Sequence, residues 1–62
     1  MDYAINDQVA LRRDWYDLKE GARAVVKRVG EDYIDVVWIG MDAYGIDSLS
    51  VSEARDVLEV VQ

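Results

Sequence analysis

The chain has 62 residues, 52% of them apolar and 32% charged, so it is one small domain with enough apolar side chains for a core. Its 13 acidic and 7 basic residues give a net charge of −6, and a protein this acidic repels phosphate backbones at long range. The absence of cysteine and histidine excludes disulfides, thiol chemistry, the usual Cys/His zinc sites and histidine acid–base catalysis.

The residue types also argue against an enzyme and against a membrane protein. No apolar run is long enough to span a bilayer, and the acidic N-terminus lacks the basic and apolar regions of a secretory signal. No nucleophile has a candidate base, and the four glycines stand at turn spacing rather than in a phosphate loop. We therefore expect a cytoplasmic, non-catalytic domain without cofactor or metal.

Valine and isoleucine dominate the apolar residues, which favours strands. The tail 1–7 precedes the first of five predicted strands, and a long acidic loop over 14–21 separates the first strand from the second. Ser52 followed by helix formers predicts a single 3₁₀ turn over 52–55. A helix over 52–61 is the alternative, because its valines also stand at helical spacing. The predicted strands are 8–13, 22–29, 33–39, 48–51 and 56–61.

Five short strands in about 60 residues bury one face only if the sheet curls on itself. The spacing therefore predicts an all-β fold over residues 1–62: a five-stranded small barrel with one short 3₁₀ turn before the last strand.

Three segments resemble the SH3-like small barrels: Val9-Ala-Leu-Arg-Arg, Gly21-Ala-Arg-Ala-Val-Val-Lys-Arg-Val29 and Ser52-Glu-Ala-Arg-Asp-Val-Leu-Glu-Val60. These barrels often have a V-x-L first strand, a glycine entry to the second and a 3₁₀ turn before the last. Within the superfamily, Tyr44-Gly45-Ile46 followed by Ser50-Val51 is similar to a loop found in the photosynthetic accessory group, whose members belong to photosystem I and to the photosynthetic NDH complex. The resemblance implies a barrel that serves as an accessory or adaptor module.

The long first loop carries the candidate binding site. An SH3-type groove uses aromatic residues of this loop, with an acidic rim, to hold extended ligands that contain proline or arginine. We expect partner-binding anchors at Trp15, Tyr16 and Tyr44, and Trp38 could complete the platform. The alternative is that Trp15 or Tyr16 plugs the barrel end and that Trp38 is core. The expected acidic rim, which would steer a protein partner with a basic surface, consists of Asp14, Asp17 and Glu20.

The sequence also allows other interpretations. Asp42 and Asp47 bracket a glycine-containing loop but lack the spacing of a calcium loop, and are interpreted as solvated turn residues. Arg12 and Arg13 end one strand and Lys27 and Arg28 another, so adjacent strands could form a basic patch of the kind with which KOW-type barrels bind RNA.

Two further alternatives concern the whole chain. Its acidity would suit a nucleic-acid mimic that inhibits a DNA-binding enzyme. A small homo-oligomer, with strands paired at the edges over 48–51 or 57–61, would compensate for the thin stability margin of so short a chain.

Overall fold

The computed structural model describes residues 3–41 and 45–61 of the chain. Within them, five strands and one helix follow each other along the sequence. The elements are β1 (Gln8–Leu11), β2 (Arg23–Val29), β3 (Tyr33–Trp38), β4 (Ile46–Ser50), α1 (Val51–Val57) and β5 (Leu58–Val60). No helix in this part of the chain is long and apolar enough to cross a membrane.

All strand pairs are antiparallel, and the order across the sheet is β4-β3-β2-β1-β5. The prediction of a mostly β fold with five strands is therefore confirmed. The two edge strands, β4 and β5, do not pair with each other among the described residues, so the backbone pairing gives an open sheet and not a closed barrel.

The molecule is nearly as thick as it is wide. The molecule measures 26 × 21 × 20 Å, whereas a flat sheet would be thin in one direction. The core side chains alternate along the strands, as the period of two requires. A β-bulge in β2 between Val26 and Arg28 adds to the local twist and bend. The fully buried strand residues are Val9, Leu11, Ala24, Val26, Ile34, Val36, Trp38, Leu49 and Leu58.

The expected 3₁₀ turn is wrong, because a seven-residue α-helix occupies this position. Ser50 is its N-cap, and the Ser50 hydroxyl accepts a hydrogen bond from the Glu53 amide at 3.1 Å. Ala54 and Val57, three residues apart, both face the core. The Leu58 amide still donates to the Ala54 carbonyl before the chain becomes extended, and β5 is correspondingly short. The helix ends at Val57, so the predicted alternative of a helix over 52–61 is confirmed over 52–57 and is wrong from residue 58, where β5 begins.

The residues before β1 pack onto the sheet. Tyr3 is buried, the Asn6 amide donates to the Val26 carbonyl at 2.8 Å, and the Val26 amide donates to the Asp7 carbonyl at 2.9 Å. The backbone hydrogen bonds between β1 and β2 therefore extend beyond the start of β1 into this segment.

Candidate functional site

The long loop between β1 and β2 is held closed at its base. The Leu11 amide donates to the Ala22 carbonyl, and the Gly21 amide donates to the Leu11 carbonyl, both at 2.9 Å. Gly21 has φ +90°, a backbone conformation that favours glycine. The loop therefore extends from a fixed stem.

The tip of the loop is a tight two-residue turn. Trp15 and Leu18 exchange two backbone hydrogen bonds, each of 2.9 Å, and Tyr16 and Asp17 form the turn between them. Tyr16 has φ +54°, in the left-handed region that non-glycine residues rarely adopt. Its side chain is 84% exposed. The fold thus holds a large aromatic side chain in solvent on a strained backbone.

Trp15, in contrast, folds back against the core. Its ring is half-buried, its indole N–H donates to Glu53 Oε2 at 3.2 Å, and its centroid lies 6.1 Å from that of Trp38. The Tyr16 ring meets it edge to face, with centroids 4.7 Å apart and planes at 78°. Of the two loop aromatics, Trp15 therefore packs against the core, as the alternative prediction has it, whereas Tyr16 is exposed to solvent.

Trp38 belongs to the core. It is 1% exposed, and its indole N–H donates to Asp47 Oδ2 at 2.7 Å. Trp38 is thus a support beneath Trp15 rather than an exposed part of the platform. Tyr44 lies outside the described residues, as does Asp42.

A shallow pocket of about 210 Å³ opens beside the turn. Two aromatic residues and two aspartates are among its lining residues. Asp17 is exposed and makes no ion pair with a described residue. The lining residues are Trp15, Tyr16, Asp17, Leu18 and Asp47.

The other two predicted rim residues shape the loop. Asp14 Oδ1 accepts a hydrogen bond from the Glu20 amide at 2.9 Å, and Asp14 Oδ2 lies 3.6 Å from Lys19 Nζ. The Glu20 amide, and to a lesser degree Lys19, hold the pKa of the Asp14 carboxyl below its ordinary value. Asp14 therefore closes the loop upon itself, and neither Asp14 nor Glu20 lines the pocket.

Sequence reasoning missed two acidic residues of the site. Asp47 is a residue of β4 bonded to Trp38, so its interpretation as a solvated turn residue is wrong. Glu53 stands three residues after the N-cap Ser50, a spacing that signals a capping box. Its side chain accepts from the Trp15 indole instead, and only the folded chain brings these residues together.

The basic residues do not form the patch that adjacent strands could have made. β1 and β2 are antiparallel with Ala10 opposite Arg23, which places Arg12 at the start of β2 and Lys27 toward its far end. Arg12 and Lys27 are thus about six residues apart along the extended strand, or about 20 Å, which is too far for one patch. Arg13 pairs with Asp56 instead, and Arg28 lies 3.2 Å from Asp35.

The carboxylates do not gather into a metal site in the part of the chain that the structure describes, where no group of three or more potential ligands lies together. The pocket at the first loop brings together three of the predicted site residues, Trp15, Tyr16 and Asp17, and is therefore the candidate site. Comparison of the chain with protein-family models, with curated proteins and with solved structures finds no match.

Proposed function

We propose that this protein is a non-catalytic binding module that holds a basic, extended segment of a partner protein against the aromatic turn of its first loop. The observation that carries the proposal is Tyr16, an 84% exposed aromatic side chain at φ +54°. Strained backbone persists where the surrounding structure enforces it, and it concentrates at functional sites. Aromatic side chains are also the most frequent anchors of protein interfaces.

The contact of Tyr16 with Trp15 favours a binding surface that is already ordered before a partner binds. Trp15 is fixed between Glu53 and the core, so its ring gives Tyr16 a fixed neighbour. Less side-chain entropy is lost when such a pre-ordered anchor is buried by a partner. The aromatic pair therefore supplies the apolar part of the proposed contact.

The charge beside the pair favours a basic partner. Asp17 and Asp47 both line the pocket, and Asp17 has no ion pair with a described residue. The net charge of −6 adds long-range attraction for a cationic segment. Association should accordingly weaken as ionic strength rises.

The proposed fold class is the curled, SH3-like small barrel. What supports it is the pairing of β1 with both β2 and the last strand, β5, which brings the end of the chain back beside its beginning. The near-equal dimensions of the molecule fit a sheet that wraps around its core. In such a barrel the loop after the first strand is the one that contributes aromatic residues to a ligand groove.

The proposal can be tested with a synthetic peptide of alternating arginine and proline as the probe. Binding is followed by the NMR shift of the Trp15 indole N–H during titration, with a glutamate–proline peptide as the charge control. Tyr16→Ala should weaken binding by about 2 kcal/mol, or roughly 30-fold, the size typical of an interface anchor. Asp17→Asn should weaken it less and reduce its salt dependence.

The matched control variant is Tyr33→Ala. Tyr33 is 59% exposed and lies on β3, outside the pocket lining. If Tyr33→Ala weakens the binding as much as Tyr16→Ala does, or if both peptides bind equally well, the assignment of this site is wrong.

A further inference from the structure

The two edges of the sheet differ in how well they are protected against pairing with another strand. An exposed edge invites pairing unless charges, prolines, bulges or short length prevent it. β4 is five residues long, contains no proline or lysine, and pairs only with β3 among the described residues. Its one charged side chain, Asp47, bonds to the Trp38 indole at 2.7 Å. Apart from this inward-facing carboxylate, the described residues give the β4 edge none of the usual protection.

The outer face of the sheet has an apolar row that ends at this edge. Val25 pairs with Val37, and Val37 pairs with Ile46, so three apolar side chains lie side by side across three strands. Ile46, the last of them, is 64% exposed. On the same face, Tyr33 is 59% exposed and pairs with Ser50 of β4. β4 therefore has a large apolar side chain at one end and a small residue beside a tyrosine at the other.

We infer that two copies of this chain associate by pairing their β4 strands antiparallel about a two-fold axis through Ser48. Each Ile46 then lies opposite the second copy's Ser50, with the second copy's Tyr33 next in the row. The small serine leaves room for the tyrosine ring to reach the isoleucine. Because the axis repeats the contact, both exposed apolar side chains of each copy become covered.

The charges near β4 permit this register. Asp47 lies opposite the second copy's Leu49, so no carboxylate faces a carboxylate, and Asp35 is neutralised by Arg28 at 3.2 Å. The other edge behaves differently. β5 has only three residues, and pairing two copies about its centre would place Glu59 opposite Glu59. Like charges directly opposite each other destabilise a strand pair.

The size of the chain favours a second copy as the occupant of this edge. Domains of about 60 residues bury a small fraction of their surface, and many gain stability from disulfides, metals or oligomerisation. This chain has no cysteine, and the described residues contain no metal-ligand cluster. Self-pairing of β4 would merge two five-stranded sheets into one.

The first test is the solution mass by light scattering over a range of concentrations. The wild-type chain should approach twice 7.1 kDa as concentration rises. Ile46→Lys should raise the dimer dissociation constant by tenfold or more, about 1.4 kcal/mol, because it removes the apolar contact and places a lysine on the edge. Ile39→Lys is the matched control, since Ile39 is 49% exposed but lies outside β4. A wild-type monomer at every concentration, or equal effects of the two lysines, would overturn the inference.

The second test locates the axis through disulfide formation, for which the cysteine-free chain is well suited. Ser48→Cys places one thiol of each copy at the axis, whereas Ser52→Cys places an exposed thiol on α1. Mild oxidation should cross-link Ser48→Cys much faster than Ser52→Cys, and equal rates would contradict the register. The interface shares Asp47 with the pocket but uses neither Tyr16 nor Asp17, so its failure would leave the proposed binding function standing.

Discussion

Tyr16 allows a direct test of whether the turn stores backbone strain. A protein with glycine in ordered backbone is usually less stable than one with alanine there by about 0.5–1 kcal/mol, because glycine loses more conformational freedom on folding. The left-handed region reverses this order, because a side chain there costs about 1–2 kcal/mol that glycine avoids. At φ +54° we therefore expect Tyr16→Gly to be more stable than Tyr16→Ala by about 1 kcal/mol.

Asp17, the next residue of the same turn, is the control. Tyr16 and Asn6 are the non-glycine residues with positive φ in the described chain, so Asp17 is outside the left-handed region. Both turn residues are exposed, and neither alanine nor glycine at either position disturbs the core. At position 17 the order should be the usual one, with Asp17→Ala more stable than Asp17→Gly by about 0.5 kcal/mol.

The assay is urea unfolding followed by tryptophan emission, together with thermal unfolding. For a domain of this size, 1 kcal/mol corresponds to a shift of about 4–8 °C in Tm. Comparing alanine with glycine at one site cancels the loss of the Tyr16 ring and its contact with Trp15. If Tyr16→Ala is as stable as Tyr16→Gly, or if the two positions show the same order, the turn is not strained and the main support for the binding site is lost.

Three further predictions concern stability. Ser50→Ala should destabilise the fold by about 1 kcal/mol, because it removes the acceptor for the Glu53 amide, whereas Ser52→Ala, within the first turn of the helix, should change urea stability by less than about 0.5 kcal/mol. Leu49→Ala, at a side chain 1% exposed, should lower the free energy of unfolding by about 2–5 kcal/mol. Circular dichroism should then show that much of the Leu49→Ala population is unfolded, whereas Ser48→Ala should remain folded. The pKa of Asp14 is lowered in the folded state, so the stability that its carboxylate contributes is present above the ordinary value of 3.8 and is lost as pH falls through the lower folded pKa. In acid unfolding, Asp14→Asn should therefore lose less stability than the wild type as pH falls below 3.8. An identical pH profile for the two proteins would contradict the role of the Glu20 amide.

The strands could be predicted because their causes are local. Alternating apolar residues such as Ile34, Val36 and Trp38 set the period of a strand with one buried face, and the observed bounds differ from the predicted ones by a few residues. The region after β4 was harder, because Ser50-Val-Ser-Glu carries both strand and helix signals. The burial of Ala54 and Val57 against the sheet decided for the helix.

The candidate site could be predicted only in part. Two aromatic residues in an acidic loop indicated the segment, and Tyr16 and Asp17 do lie together at the pocket. Asp14 and Glu20 looked equivalent to Asp17 in the sequence, but a hydrogen bond from the Glu20 amide to the Asp14 carboxylate joins them to each other within the loop.

Composition and period-two alternation are enough to predict the class of this chain, a small, acidic, strand-rich domain. Which aromatic residue is buried and which carboxylates lie at the site depend on the packing of distant segments against each other. The Trp15 indole N–H donates to Glu53 of α1, and the Trp38 indole N–H donates to Asp47 of β4. Neither acceptor is a close neighbour of its donor in the sequence. A buried N–H must have a partner, but which partner it has depends on how the sheet curves and where the helix packs, and no local pattern encodes that.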